Sequence, residues 1–471
     1  MDQTAVLGIE FIVGIVLARL LTPNQYGLVA MVTIFIAISR SFVNSGFTQA
    51  LIRKNDAKQI DYSTVFYFNI AVSGFLYLIF FIFASSISNF YAEPKLTIII
   101  RVMALGLIFD AFSIIQRARL TKRIDFKLQT KISITASVIS GIVGILMAYL
   151  GFGVWALVTK MLLRQFINSL LLWLWNRWIP TWEFSIASFK EMFSFGSKLL
   201  ISGLIDTIYR NVYKLIIGKF FSAEQLGYYT RAEQFRNLPS QNLTGAIQRV
   251  TYPVLASIQD DLPKLKKAYR KIIKSIMLIT FTLMLGLAAT AKPLLLTLIG
   301  ENWLQSVIYL QLLCFAGMLY PLHAINLNML KVQGRSDLFL KLEIIKKILA
   351  VPVIMLGIFL GIKEMIIGMI VNSFIAYFLN SYYSGRMIKY SSFAQLKDII
   401  PSFLLALFIS LILYMESLLI STTNLIILII QIFTGILMFL GLSEILKMKD
   451  YLYLKNVVIE KYKEINAKRK N

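Results

Sequence analysis

A single cysteine, Cys314, stands in a chain of 471 residues, so no intramolecular disulfide can form and the redox compartment stays open. It lies in an apolar run and reads as a small core residue. The only histidine, His323, comes two residues after Pro321 and reads as a helix-packing residue rather than a proton carrier. Acidic residues number 24 against 48 Lys and Arg, a formal net charge of +24. No hydrophilic stretch of about 100 residues is present, the usual lower range of a domain, which excludes an appended soluble catalytic module. No Gly-x-x-x-x-Gly-Lys-Ser/Thr sequence occurs, so nothing supports an ATP-driven pump. Met1 to Leu21 has no basic leader and no small-residue cleavage site, and Glu10 interrupts its apolar run. It reads as a first membrane span, not a signal peptide.

What is abundant is apolar surface. Hydrophobic residues make up 58% of the chain, and the mean hydropathy is +0.71. A water-soluble protein of this size would have to expose far more apolar area than patch limits tolerate. The solvent is therefore lipid, and the chain is expected to be all-α and polytopic, because only helices or closed barrels satisfy their backbone in a bilayer. Apolar runs separated by breakers and charges place spans near 3–21, 27–50, 63–90, 96–117, 132–150, 153–176, 191–218, 224–256, 272–292, 303–330, 338–361, 364–386, 398–420 and 422–446. That makes about 14 transmembrane helices.

The excess of cations follows topology before it follows partners, and no nucleic acid is expected. Connections after even-numbered spans carry the cations, from Arg53, Lys54 and Lys58 through Lys264, Lys266 and Lys267 to Lys389 and Lys397. Connections after odd-numbered spans hold almost none, Lys95 and Lys363 being the clearest. By the positive-inside rule both termini are cytoplasmic. A miscounted span would scramble this alternation from that point on. Trp173, Trp175, Trp178 and Trp182 gather at one end of the sixth span, where an interfacial aromatic belt is expected.

A repeat is visible at an offset of 200. Ala18-Arg-Leu-Leu-Thr-Pro-Asn-Gln-Tyr-Gly27 matches Gly218-Lys-Phe-Phe-Ser-Ala-Glu-Gln-Leu-Gly227 in a cation, two large apolar residues, a hydroxyl, a Gln and a Gly. Thr22 with Gln25, and Ser222 with Gln225, read as capping boxes between one span and the next. Spans 1–6 and 7–12 are therefore expected to be two copies of one unit, in the same orientation because six is even. The expected organisation is a six-helix lobe over 1–180, a second over 190–390, two further helices over 397–446 and a basic cytoplasmic tail over 447–471.

Ionisable residues inside spans are functional candidates by default. Span 7 carries Lys198, Ser202, Asp206, Arg210 and Lys214 at intervals of four, a polar stripe on one face. Span 8 carries Arg231, Glu233, Arg236 and Arg249 around Pro239. Lying flat on the membrane it would invert every later basic loop, so a crossing helix lining a hydrated cavity is the better reading, with its ladder broken at Pro239. Counted from the span ends at about 1.5 Å per residue, Glu10, Arg40, Asp110, Asp206 and Arg236 fall near the bilayer midplane. The cations Arg40, Lys198, Arg210, Lys214, Arg231, Arg236 and Arg249 are candidates for phosphate oxygens. The acids Glu10, Asp110, Asp206 and Glu233 are candidates for ion coupling or gating. No metal or cofactor site is expected. From these residues alone the reading stops at an anion-carrying transporter.

Six runs take it further: Ala18-Arg-Leu-Leu-Thr-Pro-Asn-Gln-Tyr-Gly-Leu-Val-Ala30, Asp61-Tyr-Ser-Thr-Val-Phe-Tyr-Phe-Asn69, Gly151-Phe-Gly-Val-Trp-Ala-Leu157, Ser194-Phe-Gly-Ser-Lys198, Gly227-Tyr-Tyr-Thr-Arg-Ala232 and Lys331-Val-Gln-Gly-Arg-Ser-Asp337. Together they resemble the polysaccharide exporters of the lipopolysaccharide, colanic acid and teichuronic acid type, within the multidrug, oligosaccharidyl-lipid and polysaccharide flippase superfamily. The resemblance implies two six-helix lobes in a V, alternating access in the bacterial inner membrane, and a lipid-linked oligosaccharide as substrate, carried on undecaprenyl pyrophosphate. It also implies membrane lipids and polysaccharide polymerase machinery as partners. Members usually begin earlier, so the first span and the setting of Glu10 are expected to be incomplete. A drug exporter of the same superfamily would want acids to dominate its cavity. A membrane glycosyltransferase or polymerase would need large outer loops, which are absent, so no enzyme is expected.

Overall fold

The computed structural model describes residues 2–44 and 46–470; the side chains of 2–4, 44, 241–243, 246, 248–250, 458, 461 and 464–470 are outside the described set. Among the described residues the chain is helical with no strand. Its contacts divide it into two compact units, meeting in sequence at Thr230 and Arg231. In the first lie α1 (Asp2–Leu20), α2 (Pro23–Asn44), α3 (Phe47–Arg53), α4 (Gln59–Tyr91), α5 (Leu96–Met103), α6 (Leu105–Lys122), α7 (Phe126–Tyr149), α8 (Val154–Asn176) and α9 (Ile186–Phe220), while α10 (Ala223–Ala256) runs across the boundary. The second holds α11 (Leu262–Ala289), α12 (Ala291–Ile299), α13 (Leu304–Gly317), α14 (Tyr320–Val332), α15 (Ser336–Leu360), α16 (Ile362–Met387), α17 (Ser392–Leu419), α18 (Asn424–Ile445) and α19 (Lys449–Lys470).

Ten helical stretches among the described residues are long and apolar enough to cross a membrane, which makes this a multi-pass membrane protein. The helices at expected spans 1, 7, 8 and 11, namely α1, α9, α10 and α15, are not among the ten. Polarity accounts for three of them. Lys198, Asp206, Arg210 and Lys214 sit on α9, Arg231, Glu233 and Arg236 on α10, and Lys341, Glu343, Lys346 and Lys347 on α15. Pro239 and Pro253 lie inside α10 without ending it. Its hydroxyls bond one turn back, Ser240 Oγ to the Arg236 carbonyl at 3.1 Å and Thr244 Oγ1 to the Ser240 carbonyl at 2.6 Å.

The repeat is visible in the helix ends. Helix α1 stops at Leu20 and α9 at Phe220, while α2 starts at Pro23 and α10 at Ala223, each pair at the offset read from sequence. The first capping box is reciprocal: Thr22 N donates to Gln25 Oε1 at 2.9 Å, and Gln25 N to Thr22 Oγ1 at 3.5 Å. In the second, Gln225 N donates to Ser222 Oγ at 3.2 Å. The two turns pack on each other within the first unit. A Cβ placed on Gly27 would land on the Ala223 carbonyl, and one placed on Gly227 would land on the Pro23 carbonyl. These are equivalent contacts related by a local two-fold, and only glycine at both positions lets the backbones come so close.

The segment between α8 and α9 is fastened along the start of α4. Gln59 Nε2 donates to the Ile179 carbonyl at 2.7 Å, and Trp178 Nε1 donates to Gln59 Oε1 at 2.8 Å. Thr181 N donates to Ser63 Oγ at 3.0 Å and Ser185 N to Thr64 Oγ1 at 3.0 Å. Buried Asp61 accepts from Ser188 Oγ at 2.6 Å and from Lys58 N at 2.8 Å. The Asp61 to Asn69 run thus opens with the groups that hold this linker. Of the tryptophans expected in an aromatic belt, Trp182 is 95% exposed, but Trp178 is 4% exposed and packs on Tyr62, Phe66 and Trp173. Its ring is therefore core rather than interface.

Candidate anion-binding cavity

A cavity of about 470 Å³ opens inside the first unit, bounded by residues of α1, α2, α6, α7 and α8. Its charged walls are Glu10 from α1, Arg40 from α2, Asp110 and Arg117 from α6, and Lys160 and Arg164 from α8. Neutral polar groups come from Ser113, Gln129, Ser133, Gln165 and Asn168. Helix packing delivers these side chains, since α1 packs on α7, α7 and α6 on α8, and α2 on both α6 and α8.

The charges are paired across helices. Arg40 Nε donates to Asp110 Oδ2 at 2.6 Å, joining α2 to α6. Lys160 Nζ donates to Glu10 Oε2 at 2.8 Å, and Arg164 Nη1 lies 3.4 Å from Glu10 Oε1, so one carboxylate joins α1 to two cations a helical turn apart on α8. Arg117 has a different partner. Its Nη2 donates to the neutral amide oxygen of Asn168 at 2.9 Å, and it forms no ion pair among the described residues. Four cations thus face two carboxylates, leaving a formal excess of two positive charges in a solvent-accessible recess. Guanidinium and ammonium groups held by packing and by counter-ions suit the oxygens of a phosphate.

Of the residues expected from sequence, Glu10, Arg40 and Asp110 meet here. The others lie elsewhere. On α9, Arg210 Nε pairs with Asp206 Oδ2 at 2.8 Å, both well exposed, while Lys198 is exposed and Lys214 half-buried on the same helix. In the second unit Arg231 is buried, donates to Gln234 Oε1 at 2.6 Å and lies 5.5 Å from the Trp303 ring centre. Arg236, also buried, lies 3.7 Å from Glu233 Oε1 and 5.2 Å from the Tyr320 ring centre. The side chain of Arg249 is outside the described residues. Three cavity cations were not singled out from sequence: Arg117, Lys160 and Arg164. Lys160 and Arg164 stand four apart inside an apolar run, so the rule that marked α9 would have marked α8 too.

A cavity with this charge balance suits a transporter of anions, and the sequence profile of a family described as polysaccharide biosynthesis protein matches residues 16–308. The chain belongs to that family. This polysaccharide biosynthesis family member is 28% identical over 298 residues to the teichuronic acid biosynthesis protein TuaB of Bacillus subtilis, a match covering 63% of the chain and 62% of TuaB. It therefore spans less than two thirds of that relative's length. It is 25% identical over 358 residues to the lipopolysaccharide biosynthesis protein WzxC of Escherichia coli, covering 75% of the chain and 72% of WzxC. Its fold resembles that of the lipid II flippase MurJ in an inward closed conformation, with a TM-score of 0.76 at 15% identity, over 94% of this chain and 98% of that one.

Proposed function

We propose that this family member flips undecaprenyl-pyrophosphate-linked oligosaccharide units from the cytoplasmic to the outer leaflet of the bacterial inner membrane, for lipopolysaccharide or exopolysaccharide synthesis. The observation that carries the reading is the set of four cations against two carboxylates in one cavity. Both phosphates of a pyrophosphate diester are ionised at neutral pH, so such a headgroup matches the cavity's excess of two positive charges. A drug exporter that binds cations would want the opposite balance. The kinship with TuaB and WzxC, whose names place them in surface-polymer synthesis, supports the same substrate class.

In this scheme Arg40, Arg117, Lys160 and Arg164 receive the pyrophosphate, and the polyprenyl tail stays in lipid. Lys198, Arg210, Lys214, Arg231, Arg236 and Arg249 are further phosphate-binding cations, and Glu10, Asp110, Asp206 and Glu233 supply coupling or gating. The chain crosses the membrane fourteen times, as two parallel six-helix repeats and two further helices, with both termini in the cytoplasm. It acts by alternating access, without catalysis, and hands the unit to polymerase machinery outside.

The test is complementation of a strain lacking its own repeat-unit flippase, with the cognate glycan supplied, following the leaflet position of the lipid-linked unit. Wild type restores outer-leaflet units and polymer. Arg117→Gln removes a charge-assisted contact to phosphate of roughly 1.5–3 kcal/mol, so transport falls by about 10- to 100-fold at limiting substrate. Transport unchanged in Arg117→Gln and in Lys160→Gln would remove the cavity from the mechanism.

A further inference from the structure

We propose that the outer part of α19, from Lys455 onward, lies on an anionic lipid surface. The start of the helix is docked on protein. Tyr451 and Leu454 pack on the Leu405, Ile409 and Leu413 cluster, Lys274 Nζ pairs with Asp450 Oδ2 at 3.2 Å, and Lys271 Nζ lies 3.3 Å from the Tyr453 ring centre. Beyond Leu454 that packing ends apart from the Lys455 bridge to Glu444 at 2.9 Å, and every described side chain from Lys455 to Lys463 is exposed. The helix nevertheless continues to Lys470, about 24 Å further at 1.5 Å per residue. Most helical stability in proteins comes from packing rather than propensity, so a surface against this part of the helix would add to it.

Its chemistry specifies that surface. From residue 455 the chain has six cations, Lys455, Lys461, Lys463, Lys468, Arg469 and Lys470, against Glu460 and Glu464. In the same stretch Val457, Ile459 and Tyr462 are 39%, 41% and 66% exposed. An exposed segment with an excess of lysines and arginine next to a membrane-length helix suits attraction to negatively charged headgroups. Position agrees, because α19 begins four residues after α18, a membrane-length apolar helix, ends at Ile445. This inference stands apart from the transport reading, since it needs only that α18 reaches a membrane surface.

The experiment uses the full chain with Cys314→Ser and a spin label on Tyr462→Cys, reconstituted in nanodiscs of phosphatidylcholine alone or with phosphatidylglycerol. Accessibility to oxygen is measured against accessibility to a water-soluble nickel chelate. With phosphatidylglycerol the nickel accessibility is expected to fall by about half or more, as for a group immersed in the headgroup region. It recovers in about 0.5 M NaCl, where screening acts within roughly 4 Å. Replacing Lys461, Lys463, Lys468, Arg469 and Lys470 with Gln abolishes the effect. A label on Asn456→Cys gives an independent reading if Tyr462→Cys perturbs the helix. Equal nickel accessibility in both lipids overturns the proposal, either as a helix free in water or as one held by protein, according to whether the label is open or protected.

Discussion

Replacing Gly27 with alanine is expected to force apart the two turns that carry the repeat. The added methyl would land on the Ala223 carbonyl, which is backbone and cannot rotate away. Ordinary carbon–oxygen contacts need more than about 3 Å, so the turn before α2 and the turn before α10 must separate by over 1 Å or deform. Overpacking of this kind costs roughly 1–3 kcal/mol, and the better helix propensity of alanine returns about 0.5–1 kcal/mol. A net loss of about 1–2 kcal/mol follows for Gly27→Ala, and Gly227→Ala, which meets the Pro23 carbonyl, should match it. The informative variant is the double. One displacement relieves both clashes because they belong to a single crossing, so Gly27→Ala with Gly227→Ala should cost about as much as either alone, a coupling of roughly 1–2 kcal/mol. The assay is SDS-induced unfolding in mixed micelles followed by tryptophan fluorescence, to which Trp178, 4% exposed in the same unit, contributes. Gly74→Ala is the control: it lies within α4 with nothing inside 4 Å of an added Cβ, and should stabilise slightly. Strict additivity of the two variants, or single variants as stable as the Gly74→Ala control, would refute a shared close approach.

Two further outcomes follow from the first unit. Glu10→Gln leaves Lys160 and Arg164 without their carboxylate, and Lys160→Met leaves Glu10 with Arg164 alone at 3.4 Å. Each is expected to lose about 1–3 kcal/mol, while the double variant recovers part of that loss because no charge is then stranded, and the same unfolding assay checks it. Thr64→Val removes the acceptor for Ser185 N, and Ser63→Ala the acceptor for Thr181 N. Together they should release the segment between α8 and α9, raising trypsin cleavage at Arg177 severalfold at unchanged global stability; cleavage at the wild-type rate would mean that the remaining bonds hold the linker alone.

The sequence revealed what each helix carries along its length, and much less of what its faces meet. Ten of the expected spans, the offset of 200 and the capping boxes rest on interactions within a few residues or on strict repetition, so they are visible without coordinates. Glu10, Arg40 and Asp110 were found as charges in apolar runs. Lys160 and Arg164 obey the same rule but form a sparser pair than the stripe on α9. Arg117 stands at the end of the expected span 96–117, where a cation is ordinary and carries no signal of its own. That Glu10 would meet two cations about 150 residues away depends on how α1 and α8 rotate against α7, which no local pattern encodes. Trp178 misled for a related reason. A tryptophan at a span end suits an interface, but here the linker folds back and packs the ring against Tyr62 and Phe66 of α4.

The bonds between α4 and the linker also bear on how the protein is made. Asp61, Ser63 and Thr64 emerge from the ribosome 118 to 127 residues before the groups they finally hold. At elongation rates of about 5–20 residues per second that is a wait of roughly 6–25 s. During it the start of α4 presents a carboxylate held only by Lys54 and Lys58, and two hydroxyls that still lack the linker groups they will bond. The seam is therefore completed only when the opening turn of α9 arrives, and an insertion intermediate stopped before Ser188 would carry it half finished.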